Sequence, residues 1–563
     1  MRRVAEYLFT FTNIFTGYFF CPVSPIDPIF MHVLKKMSFL LWTVVCLAIA
    51  GHLAAQNNNW FVTMGAEPIQ TDDSGIPRIL FAEQMNDGFM VMREQVYRGF
   101  RKRRFFIEKL DVELRTKMQK EITKDIDEQR FEIEDVMRIN NRVIVISSEF
   151  LRADKSYIFY VQEVNFEALE LTSRIKVFET QNETGSLKMD VQISKNEQKI
   201  LFSFIPVKRV PLMGKQENDY RYLVMMNADL QTVVLSQRLD MTVDKIDFNI
   251  KHTLVDDAGN LFFLGQKIAD RKSEEPGFAL LRYKDGELKM GKFIFKEGLL
   301  QNARIEFNPD GNVLLIGYYA ELKRFNPGIG VVSTEFDSET LDHYNVRFDL
   351  IKNEVMMNGL SERQKRRAER EIAAGRDLKL NRDIVPLHFM RHPSGEISMI
   401  GEIQYLTYES SGVTQGGALN RIIYNYEHIF VTRIAQDGRI LWSVKIPKMY
   451  RASIDLVVSF EVLMHGEELN IVFNDNTDNF DPNPKRGTRY LSQRPNYNYL
   501  ARVELGSKGN IKTYNLISYG EEPYNRINML SLFTDVAKTN KQQLIFSTSG
   551  RLGYYYVLVG RND

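Results

Sequence analysis

One short pattern recurs eight times along this chain. A tight polar turn is followed at once by a β-branched or aromatic run. Asn140-Asn141 precedes Val-Ile-Val-Ile, and Pro309-Asp-Gly-Asn312 precedes Val-Leu-Leu-Ile-Gly. Comparable turns begin at Asn86, Lys195, Asp257, Pro393, His465 and Thr539. Gly, Asn and Asp dominate because tight hairpins need positive φ. Most units add a third strand, a second tight turn such as Asp285-Gly286 or Asp437-Gly438, and a fourth strand. A four-stranded unit cannot bury both faces alone. Repeated units therefore stack, and radial stacking makes a β-propeller.

The eighth unit stops after three strands, read as 527–535, 543–549 and 554–560. A spare strand, 59–64, sits at the other terminus. Pairing it with the last unit closes the ring and removes exposed sheet edges. The expected fold is all-β: a β-propeller of eight four-stranded blades, with seven as the alternative, spanning 56–563. Ser361, a run of helix formers and Gly375 predict one helical insertion between blades, at about 354–380. The A–B and C–D turns are short. The B–C connections are long, notably 405–425 and 480–497, and the longest blade-to-blade link, 351–383, falls on their side of the disk. Long connections in compact domains carry function often enough to make this the expected binding face.

Lys35 and Lys36, an apolar run and the small residues before Gln56 describe a signal peptide over 31–55. Residues 1–30 are expected to be an over-extended start or disordered. The apolar run is short for a membrane span, so no stable span is expected after cleavage. Both cysteines, Cys21 and Cys46, precede residue 56, so a chain cut there has no thiolate site. A formal net charge of +1 gives no general field for nucleic acid.

Motif reading finds no catalytic signature. Ser173-Arg-Ile-Lys176 lacks its companion motifs, and Gly328-Ile-Gly330 opens no dinucleotide loop. Asp475, Asp478 and Asp481 cluster on one loop in a manner that suits calcium. The EF-hand spacing fails, however, and a polar turn satisfying its own backbone is the simpler expectation; no other cofactor is expected. The next loop mixes Arg486, Arg489, Tyr490, Arg494 and Tyr497, a composition suited to protein or glycan recognition. Glu402, after Gly401, is expected at the channel mouth or in solvent. Arg101 to Arg104 and Trp442 read more simply as a charged loop and as blade packing.

Tyr424-Asn-Tyr426, Asp437-Gly438-Arg-Ile-Leu-Trp442, Ile446-Pro-Lys448 and Asn474-Asp475-Asn476 together resemble a group of secreted Bacteroidota β-propeller-like proteins of uncharacterised activity. The likeness also takes in Ile400-Gly-Glu402. It covers about 90 residues well. It implies a periplasmic, outer-membrane-associated or extracellular location and carries no catalytic residue. Three functions fit: a non-catalytic propeller binding a protein or glycan through its long-loop face, a hydrolase or lyase acting on glycan or peptide at the channel mouth, and a structural subunit of an envelope assembly.

Overall fold

The computed structural model describes residues 60–71, 75–97, 103–122, 130–151, 154, 156–181, 187–206, 220–268, 277–293, 295, 298–321, 329–376, 378, 382–414, 417–452, 459–480, 487–492, 494–526, 536–550 and 553–562. They form eight antiparallel blades in a ring, each built on a four-stranded meander. Blades one to seven occupy 75–121, 130–181, 187–240, 242–292, 298–350, 384–452 and 461–518. Blade eight joins Val536–Lys538, Leu544–Gly550 and Gly553–Arg561 to the N-terminal strand Trp60–Met64. The ring is thus closed by the strand expected from the sequence. The eighth unit's first strand lies at Val536–Lys538; the stretch 527–535 lies outside the described residues, as do residues 1–59.

Each blade's first strand, A, is innermost, and its fourth, D, is solvent-facing. In blade three the D strand Val233–Asp240 alternates exposed and half-buried residues, whereas the second strand, B, Lys199–Pro206, is buried without a break from Ile200 to Phe204. A strand with neighbours on both sides and blades on both faces reads as a continuous apolar run. Apolar clusters fill the spaces between blades. Ile144 and Phe159 of blade two meet Phe202, Phe204 and Val224 of blade three, and similar clusters join blades three and four, four and five, and five and six.

Between blades five and six the chain forms two helices, Asn353–Met357 and Glu362–Ala373, rather than one. Ser361 caps the second: its hydroxyl accepts from Gln364 N–H, and Gln364 returns to the Ser361 backbone. Gly359, at φ +77°, separates the helices and lies against Pro447 of the outer strand of blade six. A Cβ there would meet Pro447 at 2.5 Å, so glycine is required twice over.

The connection 405–425 is not a loop. Strands B and C of blade six run as Ile397–Thr414 and Gly417–Ile434, and their pairing continues from Gln404–Tyr426 out to Ser411–Leu419. The two strands are 18 residues each, far longer than the blade requires, so a hairpin stands beyond the blade on its long-connection side. The polar composition of its tip hid a period-2 alternation that is ordinary strand grammar.

Candidate functional site: the outer face of blades six and seven and the axial channel

Blades six and seven share a polar interface. Glu402 ends the regular part of strand B, just before a bulge at Ile403. It is fully buried, neither at the channel mouth nor in solvent. Its Oε1 takes the Lys448 ammonium at 2.5 Å, and its Oε2 accepts from Gln404 Nε2 at 3.0 Å. Ser459, leading into blade seven, donates to Glu402 and accepts from Lys448 at 2.7 Å. Lys448 comes from the D strand Ile440–Ala452, so the cluster ties two strands of one blade to the entry of the next. A buried carboxylate needs such partners to remain charged. His428, bulged out of strand C, receives the Lys448 backbone N–H at Nδ1 (3.4 Å). Burial, with Lys445 and Lys448 nearby, keeps its ring neutral and its pKa down to about 3.

Asp475 lies one blade over, at the end of Glu468–Asn476. It too is buried. Its Oδ1 accepts from Asn476 N at 2.8 Å and Asn479 Nδ2 at 2.7 Å, and Tyr499 OH approaches Oδ2 at 3.4 Å. Burial pushes its carboxyl up to about 7, against the pull of these donors and of Lys448. Asp478, by contrast, is exposed and pairs with Arg489 at 3.3 Å. The two carboxylates therefore do not converge, Asp481 lies outside the described residues, and among the described residues no three His, Cys, Asp or Glu side chains group as a metal site would. The loop is a polar turn: Asn479 brackets Arg489, accepting from its N–H at 2.6 Å and donating to its carbonyl at 2.8 Å.

The Arg- and Tyr-rich loop is tied down at several points. Leu491 N–H donates to Met449 of blade six at 2.9 Å, and Thr488 N–H donates to Gly359 of the helical insertion at 3.0 Å. Tyr490 is consumed in the same way. Its hydroxyl donates to Glu427 at 3.1 Å, beside Tyr405 OH on the same oxygen at 2.6 Å, and accepts from Arg451 at 3.1 Å. The Arg451 guanidinium also stacks 4.2 Å over the Tyr490 ring. Of the six residues proposed as ligand-binding, Glu402, Arg489 and Tyr490 hold structure. Arg494 and Tyr497 are exposed and free of those ties, and Arg486 lies outside the described residues.

What this network supports is the protruding hairpin. Leu406 pairs with Tyr424 and Tyr408 with Ile422, so the four share one face. Leu406 is 49% exposed, Tyr408 70% and Ile422 40%. The opposite face holds Tyr405 and Asn425, fixed through Glu427 and through Asn425 Nδ2 to Thr407 at 2.9 Å. An apolar ladder is thus presented on a rigid base. Trp442, as expected, packs: its indole N–H donates to Ser507 of blade seven at 2.8 Å.

A second set of residues escaped motif reading. The residues that open the A–B turns are Ile139, Ser194, Asp256, Asn308, His392 and His465. Counting back four residues from each gives Asp135, Asp190, His252, Arg304, His388 and Glu461, one per inner strand from blades two to seven. A bulge directly precedes Asp135, His252 and His388, and bulges re-aim side chains. Asp190 of blade three acts electrostatically on Arg304 of blade five, past blade four.

No family model and no curated protein matches the chain. Solved structures do. A Dos1 propeller is 10% identical over 90% of this chain and 95% of its own, with a TM-score of 0.36. The β-propeller domain of the Trilobed protease from Pyrococcus furiosus is 10% identical over 81% and 99%, with a TM-score of 0.34. Polysaccharide lyase Uly1 is 10% identical over 77% and 90%, also at 0.34. Likeness at this level carries no functional argument.

Proposed function

We propose that this is an exported envelope protein that binds a protein partner through the long-connection face of blades six and seven, without catalysis. The observation that carries the reading is the exposed ladder Leu406, Tyr408 and Ile422 on a hairpin braced by Tyr405, Glu427, Tyr490 and Arg451. Exposed aliphatic and aromatic side chains on a rigid element are what protein interfaces bury at their centres. Arg494 and Tyr497, exposed on the neighbouring loop, would supply the polar rim. Leu and Ile beside the Tyr favour a protein over a glycan, which would stack on aromatic rings alone.

The test is affinity capture from envelope extract with the chain and with a Leu406→Ser/Tyr408→Ser/Ile422→Ser variant. All three side chains lie on the exposed face of the hairpin, so melting temperature should change little. Loss of one captured protein from the variant supports the reading. Equal recovery by a variant that melts like the parent removes it.

A further inference from the structure

The helix Glu362–Ala373 carries Arg363, Arg366, Arg367 and Arg370. At 3.6 residues per turn this spacing puts all of them within an arc of about 100°. All are exposed. The opposite face is the one that packs: Ala368 is buried, and Lys365 and Ile372 are half-buried. The arginine stripe therefore points away from the rest of the protein.

The acids within reach turn elsewhere. Glu362 and Glu371 stand four residues from Arg366 and Arg367, the spacing at which helical ion pairs form. Glu362 instead pairs with Lys365 at 3.2 Å, and Glu371 with Arg376 at 2.5 Å. Among the described residues no carboxylate lies within 4.0 Å of the stripe arginines. Arg370 Nε donates to the Arg366 carbonyl at 3.1 Å, and the other guanidinium N–H groups stay open. Arg363 with Arg367, and Arg366 with Arg370, are like charges four residues apart, so the stripe repels itself. Arginines elsewhere are treated differently. Outside this helix, those whose side chains are described are spent on a carboxylate, a carbonyl or an aromatic ring, as Arg238 is on Asp240 and Arg489 on Asp478. Arg494 is the exception, and it belongs to the loop that Thr488 ties to this insertion.

We propose that the stripe docks an acidic segment of the partner protein, its carboxylates lying along the row of guanidinium groups. This rests on the reading that the face binds a protein. The insertion is continuous with that face: Thr488 donates to the Gly359 carbonyl just before the helix, through its N–H and its hydroxyl at 3.0 Å each, and Tyr490 of the same loop braces the hairpin. Guanidinium forks match planar carboxylates. The row is about 10 Å long, seven residues at 1.5 Å each. Glu362 and Glu369 bound it on one side and Glu371 on the other. A single chain fits between these acids, whereas a flat anionic membrane would meet them as well. The arc also holds no large apolar side chain, which a helix lying on a bilayer inserts.

Isothermal titration calorimetry on the purified chain at pH 7 and low salt tests this with N-acetyl-hexaglutamate. Arg366→Gln/Arg367→Gln should weaken binding about ten-fold, two exposed charge contacts together being worth a factor of this order. Arg363→Gln/Arg370→Gln is an independent second variant with the same expectation. Arg238→Gln/Arg439→Gln removes equal charge elsewhere on the surface and should bind as the parent does. Melts check that each variant folds. Several results overturn the proposal: no heat from the peptide at millimolar concentration, an equal loss in the Arg238/Arg439 variant, or undiminished binding in a folded stripe variant. Hexagalacturonate or phosphatidylglycerol vesicles binding as tightly as the peptide also overturn it, in favour of a glycan or a membrane. In the envelope capture, a protein lost from the hairpin variant but kept by a stripe variant overturns this inference alone and leaves the proposed function standing.

Discussion

Lys448→Met should open the junction of blades six and seven, and the size of the effect follows from the burial of its partner. Glu402 is 0% exposed and Lys448 1%. Removing the ammonium leaves a buried carboxylate with Gln404 and Ser459 as its remaining side-chain donors. Deleting one partner of a buried pair typically costs about 3–5 kcal/mol. Glu402→Gln should cost a similar amount by stranding the ammonium against Ser459. The double variant is different. Gln at position 402 still accepts from Ser459 or Gln404, and Met fills the lysine stem, so the net cost should be about 1–2 kcal/mol. The coupling energy is then on the order of 5 kcal/mol.

An eight-bladed ring need not unfold in one step, so hydrogen exchange read by mass spectrometry is the appropriate assay. Peptides from Ile397–Thr414, Ile440–Ala452 and Glu461–His465 should exchange roughly a hundred- to a few-thousand-fold faster in either single variant. Blades two to four should be unaffected. A Lys448→Met variant within about 1 kcal/mol of the parent would show that the pair is not the staple described. A double variant as open as the sum of the singles would show that the two residues act separately.

Two further predictions concern other parts of the ring. Burial holds the Asp475 carboxyl at about 7, so the folded state binds its proton more tightly than the unfolded chain does. The stability from this group is full below about pH 4 and is lost as pH rises to about 7. Asp475→Asn should therefore gain on the parent by up to a few kcal/mol across that window, seen in melts from pH 4.5 to 8; parallel profiles would refute the assignment. Deleting Trp60–Met64 leaves the strand Gly553–Arg561 as an unpaired edge, and size-exclusion chromatography should show association or aggregation in place of the parent's elution. A truncated chain that elutes and melts like the parent would mean that closure is dispensable.

The blade grammar was legible because it is local. A turn such as Pro309-Asp-Gly-Asn312 announces itself within a few residues, and its Gly311 sits at φ +85° as the turn requires. Closure by the N-terminal strand was legible for the same reason: a unit lacking one strand and a strand lacking a unit can be counted. Pairing partners were not. Glu402 and Lys448 lie 46 residues apart, and nothing in either segment says that one buries the other. The polar turn around Asp475 was the simpler expectation, but its burial was not legible, because a carboxylate in an Asn-rich stretch has the same letters whether it faces solvent or Tyr499. The hairpin 405–425 was missed because its tip is polar while its flanks, Leu406 and Tyr408 against Tyr424 and Ile422, alternate as a strand should.

The channel ring is the instructive intermediate case. Each of its members stands alone in the sequence, about one blade from the next, so no motif could gather them. Yet the rule that gathers them is a local one, four residues back from the opening of an A–B turn, and those turns had already been identified. In a repeat architecture the residues of one site are dispersed by the period and aligned by the phase. The phase of each turn puts Asp190 and Arg304 at the same level of their inner strands. What the structure adds is their partners: Asp190 accepts from Gln192, and Arg304 donates to the Leu387 carbonyl.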